Sequence, residues 1–223
     1  MVSFGLITEG ITDQIVIESI LYGFFNDKNI PVNPLSPLRD ATDENRAATA
    51  SNWIEVFEYC ASSRFKSEVF INDYLIIQID TDALKGDSVA QKYRINLPGD
   101  LPVEAIVEAV KGKIIELIGV DFYSEHQHKI IFAISIHSIE CWLLPIYFAN
   151  QPAKSRKTEN CLYTLNQAIL QKEGFFIGDK EPKYYRVISK KFQKTRDLRR
   201  FSPLNPSFDL FIRELEQRNI QIE

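Results

Sequence analysis

The chain has little of what builds disulfide-stapled or zinc-stapled scaffolds. Its 223 residues hold three cysteines, Cys60, Cys141 and Cys161, and three histidines. The cysteine count is odd and no C-x-x-C pair occurs, so neither a disulfide framework nor a zinc site is expected, and the cysteines read as buried thiols. No apolar run approaches the ~20 residues of a membrane span, and Met1-Val2-Ser3-Phe4-Gly5 puts no basic stretch ahead of an apolar one. A cytoplasmic chain with no membrane partner is the expectation. The pattern G-x-x-x-x-G-K-[ST] is missing, which excludes a nucleotide-binding P-loop from this sequence. Internal repeats and low-complexity tracts are missing too.

What is present fits a globular α/β chain: 45% of residues are hydrophobic and 25% are charged. The net charge of -4 conceals a segregation along the chain. Residues 1–153 carry 11 basic and 21 acidic side chains, whereas residues 154–200 carry 13 basic and 5 acidic ones. A basic block beside an acidic one suits a metal-dependent enzyme acting on a polyanion, or a solvated face packed against the acidic part of its own fold. The domain reading is a core over 1–150 and a basic helical C-terminal extension over 151–223, packed on that core.

The most informative stretch is Tyr74-Leu75-Ile76-Ile77-Gln78-Ile79-Asp80-Thr81-Asp82. It reads as a buried strand with acids at its tip, and if extended geometry runs through Thr81, Asp80 and Asp82 point the same way. Two further apolar strands end similarly. Val2–Thr8 leads into Glu9-Gly10-Ile11-Thr12-Asp13 and a helix for which Thr12 is the expected N-cap. Lys129–Ser135 leads into Ile136-His137-Ser138-Ile139-Glu140. Pro34 and Pro37 confine any strand over 33–40 to a short or edge position. Helices are expected over 43–62, from Pro102 to Gly119, over 159–173, in part over 180–200, and over 207–219. Residues 83–101 are the expected functional loop. Strands alternating with helices give βαβ units and a mainly parallel central sheet flanked by helices.

In such a sheet the strand ends share one edge, which gathers Glu9, Asp13, Asp80, Asp82 and Glu140. That many carboxylates do not all ionise at neutral pH without cations, and Mg2+ or Mn2+, one ion or two, would resolve the repulsion. His137 reads as a strand-end polar residue, because Mg2+ prefers oxygen, and Trp142 as core.

Three motifs, Leu6-Ile7-Thr8-Glu9-Gly10-x-Thr12-Asp13, Ile79-Asp80-x-Asp82 and Ser138-Ile139-Glu140-x-Trp142-Leu143-Leu144, together resemble the TOPRIM domain, in particular the short OLD-type nuclease branch found in bacterial defence systems. The resemblance covers roughly residues 2–148. It implies a TOPRIM-like sheet, Glu9 as metal ligand or general acid/base, Asp80 and Asp82 as Mg2+ ligands, and Asp13, Ser138 and Glu140 at the metals. It also implies a catalytic lysine beyond the core, for which Lys183, Lys190 and Lys191 are candidates. The function expected is DNA or RNA phosphodiester hydrolysis as the effector of a defence or toxin system: metal-activated water attacks phosphorus while the lysine steadies the developing charge. Lys190, Lys191, Lys194 and Arg196 are the expected nucleic-acid contacts. The other expected partners are a separate ATPase subunit and a second copy of the chain. Two alternatives stand beside this: a non-catalytic TOPRIM-like sensor or binding subunit of a larger complex, and a HAD-like phosphatase, whose Asp-x-Asp motif would need Thr or Val where Leu84 stands.

Overall fold

The computed structural model describes residues 1–39, 53–82, 93, 95 and 101–222. The 83–101 loop and the first part of the 43–62 helix lie outside the described residues, apart from Tyr93, Ile95 and Leu101. In chain order the elements are β1 (Phe4–Ile7), α1 (Ile11–Phe25), β2 (Val32–Ser36), α2 (Trp53–Cys60), α3 (Ser63–Ile71), β3 (Tyr74–Asp80), α4 (Val103–Ile118), α5 (Val120–His126), β4 (Ile130–Ser135), α6 (Glu140–Phe148), α7 (Pro152–Ser155), α8 (Cys161–Lys172), α9 (Pro182–Ser189), α10 (Thr195–Phe201) and α11 (Pro206–Gln217).

Among the described residues four strands form an all-parallel sheet in the order β2-β1-β3-β4. β2 carries Pro34 and sits at an edge, where a missing ladder donor costs least. Chain order reverses between β1 and β3: the first crossover runs to β2 on one side of β1, the second to β3 on the other. In open α/β sheets this switch point, at the carboxyl ends of the strands, is where ligands bind.

Strand residues alternate between two cores, as period 2 requires. Phe4, Leu6, Ile76, Ile131 and Ala133 face one core, with α1, α6 and α8 to α11. Ile7, Leu75, Ile77, Ile79, Phe132 and Ile134 face the other, with α2, α3 and α4. The 151–223 segment therefore contributes to the same core as the sheet: Leu165, Tyr185, Phe192, Phe208 and Phe211 are buried there. Trp142 is fully buried and stacks on Phe208 at 5.1 Å and on Phe211 at 5.4 Å between ring centroids.

α1 is apolar nearly all round because it lies between the sheet and the C-terminal helices, and it buries Ile15, Val16, Ile17, Ile20 and Leu21. Close approach is set at Gly23, where a Cβ would stand 1.8 Å from the carbonyl oxygen of Phe192. Two expectations are corrected. The N-cap of α1 is Gly10 in extended conformation, and Thr12 lies inside the first turn, buried. Cys141 and Cys161 form a disulfide, and Cys60 alone is a buried thiol. The pairing was invisible in spacing because it joins the starts of α6 and α8, brought together only by packing. α3 and α5 were not expected from periodicity.

Candidate functional site

The three strand ends do converge on the α1 and α6 face. Gln78 and Asp80 project there with Ser135, their neighbour on β4, and form the polar end of an otherwise apolar core. Glu9 follows β1, Asp13 stands in the first turn of α1, and Glu140 opens α6. The backbone N–H of Asp80 donates to Glu9 Oε1 at 2.7 Å, which ties β1 to β3 across the switch point. Gln78 bridges the same gap: its Oε1 accepts from the Glu9 N–H at 3.3 Å and its Nε2 donates to Asp80 Oδ1 at 2.8 Å. The Ser135 hydroxyl donates to the same Asp80 oxygen.

Around Glu140 the chemistry is cationic. Lys180 Nζ lies 3.2 Å from Glu140 Oε1, and the Tyr185 hydroxyl donates to that oxygen. Ser138, itself buried, stands close enough to favour the charged form of Glu140. Burial alone would raise the Glu140 pKa, but Lys180, Ser138 and Tyr185 outweigh it and hold the carboxyl below its ordinary value. The remaining acids lack such cover. Burial, and then the charge of Asp13, push Glu9 up to about 8. Asp13 is raised to about 7 by burial, with Glu140 adding to the rise and Lys180 opposing it. Asp80 lies well above the carboxylate range through burial and the nearby Asp13 and Glu9. Lys180 is held charged: burial works against its proton, but Glu140, Asp80 and Asp13 more than compensate.

Asp13 carries the sharpest signal. Backbone groups at the start of α1 favour its charged form without outweighing burial. Its Oδ1 is buried without a hydrogen-bond partner. A buried, unpaired carboxylate oxygen surrounded by three other carboxyls is an acceptor waiting for a proton or a cation. Four carboxyls offer the oxygen donors that a hard divalent ion such as Mg2+ or Mn2+ prefers, but among the described residues the one group of such side chains whose ligand atoms come within 4.8 Å of one another is His137, Cys141 and Cys161.

Not every expected residue arrives. β3 stops at Asp80, so extended geometry does not carry on to Asp82, which is exposed at the rim, its N–H donating to the His137 carbonyl at 2.9 Å. It is still close enough for its charge to raise Glu9. Among the described lysines, Lys180 is the one that reaches the acids. Lys183, offered as catalytic, pairs with Glu181. Lys190, the other, is exposed with Lys191, Lys194 and Arg196 on the segment lying along the C-terminal half of α1. That placement is fixed by Ser189 Oγ, 3.0 Å from Ser19 Oγ, and by Thr195 Oγ1, which donates to the Gly23 carbonyl at 2.6 Å. Ten helical residues separate Asp13 from Gly23, about 15 Å along the axis, so the basic segment and the acid cluster flank opposite ends of α1.

Four site residues were missed: Gln78, Ser135, Lys180 and Tyr185. Gln78 had a signal, a lone polar residue in mid-strand. Lys180 had none; it is brought in by the 173–181 turn, which Asn166 clamps by bonding both the N–H and the C=O of Ile177 at 2.9 Å. Compared with known proteins, the chain matches no family model, no curated protein and no solved structure. Among the described residues no helix is long and apolar enough to cross a membrane.

Proposed function

We propose that this chain is a Mg2+- or Mn2+-dependent nuclease that hydrolyses phosphodiester bonds of DNA or RNA. The observation that carries the reading is the cluster of buried Asp13, Asp80 and Glu140 with half-buried Glu9 at the switch point, with one unpaired carboxylate oxygen and one lysine. Counting charges, four carboxylates face a single ammonium, so in the absence of metal the cluster stays partly protonated near neutral pH. Glu9, Asp13, Asp80 and Glu140 are the residues that would hold metal. A bound divalent ion supplies Lewis acidity toward phosphoryl oxygen and offsets the carboxylate charge.

The chain's own groups take complementary parts. Lys180 keeps 41% of its side chain exposed and stays protonated, which suits it to a phosphate's charge. Tyr185 fixes the Glu140 carboxyl, and Gln78 and Ser135 fix that of Asp80. Glu9, raised to about 8, exchanges a proton near working pH and so fits general acid/base duty as well as ligation. The resemblance of the three motifs to OLD-type TOPRIM nucleases supports the same reading and extends it to a defence effector working with a separate ATPase subunit and a second copy of the chain. The phosphatase alternative needs the first aspartate as an open nucleophile, yet Asp80 is buried and one of its oxygens accepts from two side chains.

The test is incubation of the full chain with labelled DNA and RNA, with Mg2+ or Mn2+ and with EDTA, alongside Asp80→Asn and Lys180→Met. Metal-dependent cleavage abolished by either substitution is the expected result. Calorimetry showing no divalent ion bound by the wild type overturns the reading.

A further inference from the structure

His137, Cys141 and Cys161 stand beside the acid cluster but take no part in it. One ligand atom from each, a ring nitrogen and the two sulfurs, lie within 4.8 Å of one another. Both cysteines are fully buried and joined as a disulfide, while His137 is partly open to solvent. The histidine is held there against backbone preference: its φ of 69° is left-handed, costly for a residue with a Cβ. Its N–H donates to Thr81 Oγ1 at 2.7 Å and its carbonyl accepts from Asp82 at 2.9 Å, so the loop fixes it from both sides. Its Nδ1 lies 3.3 Å from Ser138 Oγ, an outer partner of the kind that orients a ligating imidazole.

We propose that, when the Cys141–Cys161 disulfide is reduced, His137, Cys141 and Cys161 bind one soft divalent cation of the Zn2+ class. Reduction takes two electrons and two protons from a dithiol, which is itself oxidised to a disulfide, and yields two thiols. Metal binding then displaces both thiol protons. Two thiolates and a neutral imidazole balance the charge of the ion, as a buried setting demands. Nitrogen and sulfur donors select Zn2+ over Mg2+ and Mn2+, so this site and the all-oxygen acid cluster divide the metals between them. Two Zn–S bonds of ~2.3 Å at a tetrahedral angle place the sulfurs about 3.8 Å apart, a separation that side-chain rotation after reduction can supply. Three protein ligands leave a fourth position for water. Because Cys141 directly follows Glu140, occupancy anchors the start of α6, and oxidation removes the site.

Co2+ is the probe, added anaerobically to the full chain after reduction by a dithiol and removal of the excess. A thiolate-to-cobalt charge-transfer band with a one-to-one end point, reversed by Zn2+ and absent from the oxidised chain, is expected. Cys161→Ser should abolish the band. His137→Asn, which keeps a side chain tolerant of left-handed backbone, should weaken affinity at least tenfold, and Asp80→Asn should leave it unchanged. Circular dichroism accompanies each sample, and if reduction alone loosens the fold, Zn2+ must restore it. No band in the reduced chain, a band indifferent to His137→Asn, or a loosened chain that Zn2+ fails to restore overturns the proposal.

Discussion

Replacing Asp13 with Asn tests the electrostatics of the acid cluster directly. The amide has the shape of the protonated carboxyl, so it can place its NH2 where the orphaned Oδ1 faces the other carboxyls. In the folded chain Asp13 titrates near 7, against an ordinary 3.8. The folded state therefore holds a proton that the unfolded chain has released, and stability falls as pH rises from about 4 to about 7, then levels off. At 1.36 kcal/mol per pH unit that rise corresponds to roughly 4 kcal/mol. Removing the Asp13 charge from beside Glu9 and Asp80 acts in the same direction. For a chain of this length ~2–4 °C accompanies each kcal/mol, so Asp13→Asn should raise Tm by about 8–16 °C at pH 8 in EDTA and by almost nothing at pH 4.5. Thermal unfolding followed by circular dichroism across that range reads the difference. A mutant less stable than wild type at pH 8, or a difference independent of pH, would refute the reasoning and leave Asp13 as an acid in the first turn of α1 and nothing more.

Asp80→Asn should leave the metal-free Tm unchanged or raised at pH 8 but abolish the Mg2+- or Mn2+-induced rise, which for wild type at 100 times Kd is about 2.7 kcal/mol; differential scanning calorimetry separates the two. Tyr185→Phe removes a donor to a buried, charged Glu140, so it should cost about 1.5–3 kcal/mol in urea unfolding. Gly23→Ala puts a methyl 1.8 Å from the Phe192 carbonyl oxygen, so α1 and the 190–193 turn must part, and faster amide hydrogen exchange should appear in α9 and α10. Lys190, Lys191 and Lys194, all exposed, should act together in nucleic-acid binding: their replacement by Ala flattens the log Kd against log salt slope by about two to three, at ~0.7–0.9 per phosphate contact. An unchanged slope would move the polyanion surface elsewhere.

The sequence by itself determined the strands and their acidic tips. A short apolar run such as Leu75–Ile79, broken only by Gln78, reads as a buried strand of a parallel sheet, and carboxyl residues placed at or soon after such strand ends share an edge. Glu9, Asp80 and Glu140 were legible for that reason, and Asp13 because a helix starts where β1 ends. The edge position of β2 followed from Pro34. Tertiary structure decided what depends on residues far apart in the chain. Lys180 reaches Glu140 from a turn 40 residues away, clamped by Asn166, and no local pattern marks it among thirteen basic side chains in its block. Asp82 moved to the rim because the ladder ends one residue too soon. Cys141 and Cys161 met because α6 and α8 pack with their N-termini together, whereas sequence spacing offered only an odd count. Period and chain order fix what a strand exposes at its end; which distant side chain completes the charge balance is a property of packing alone.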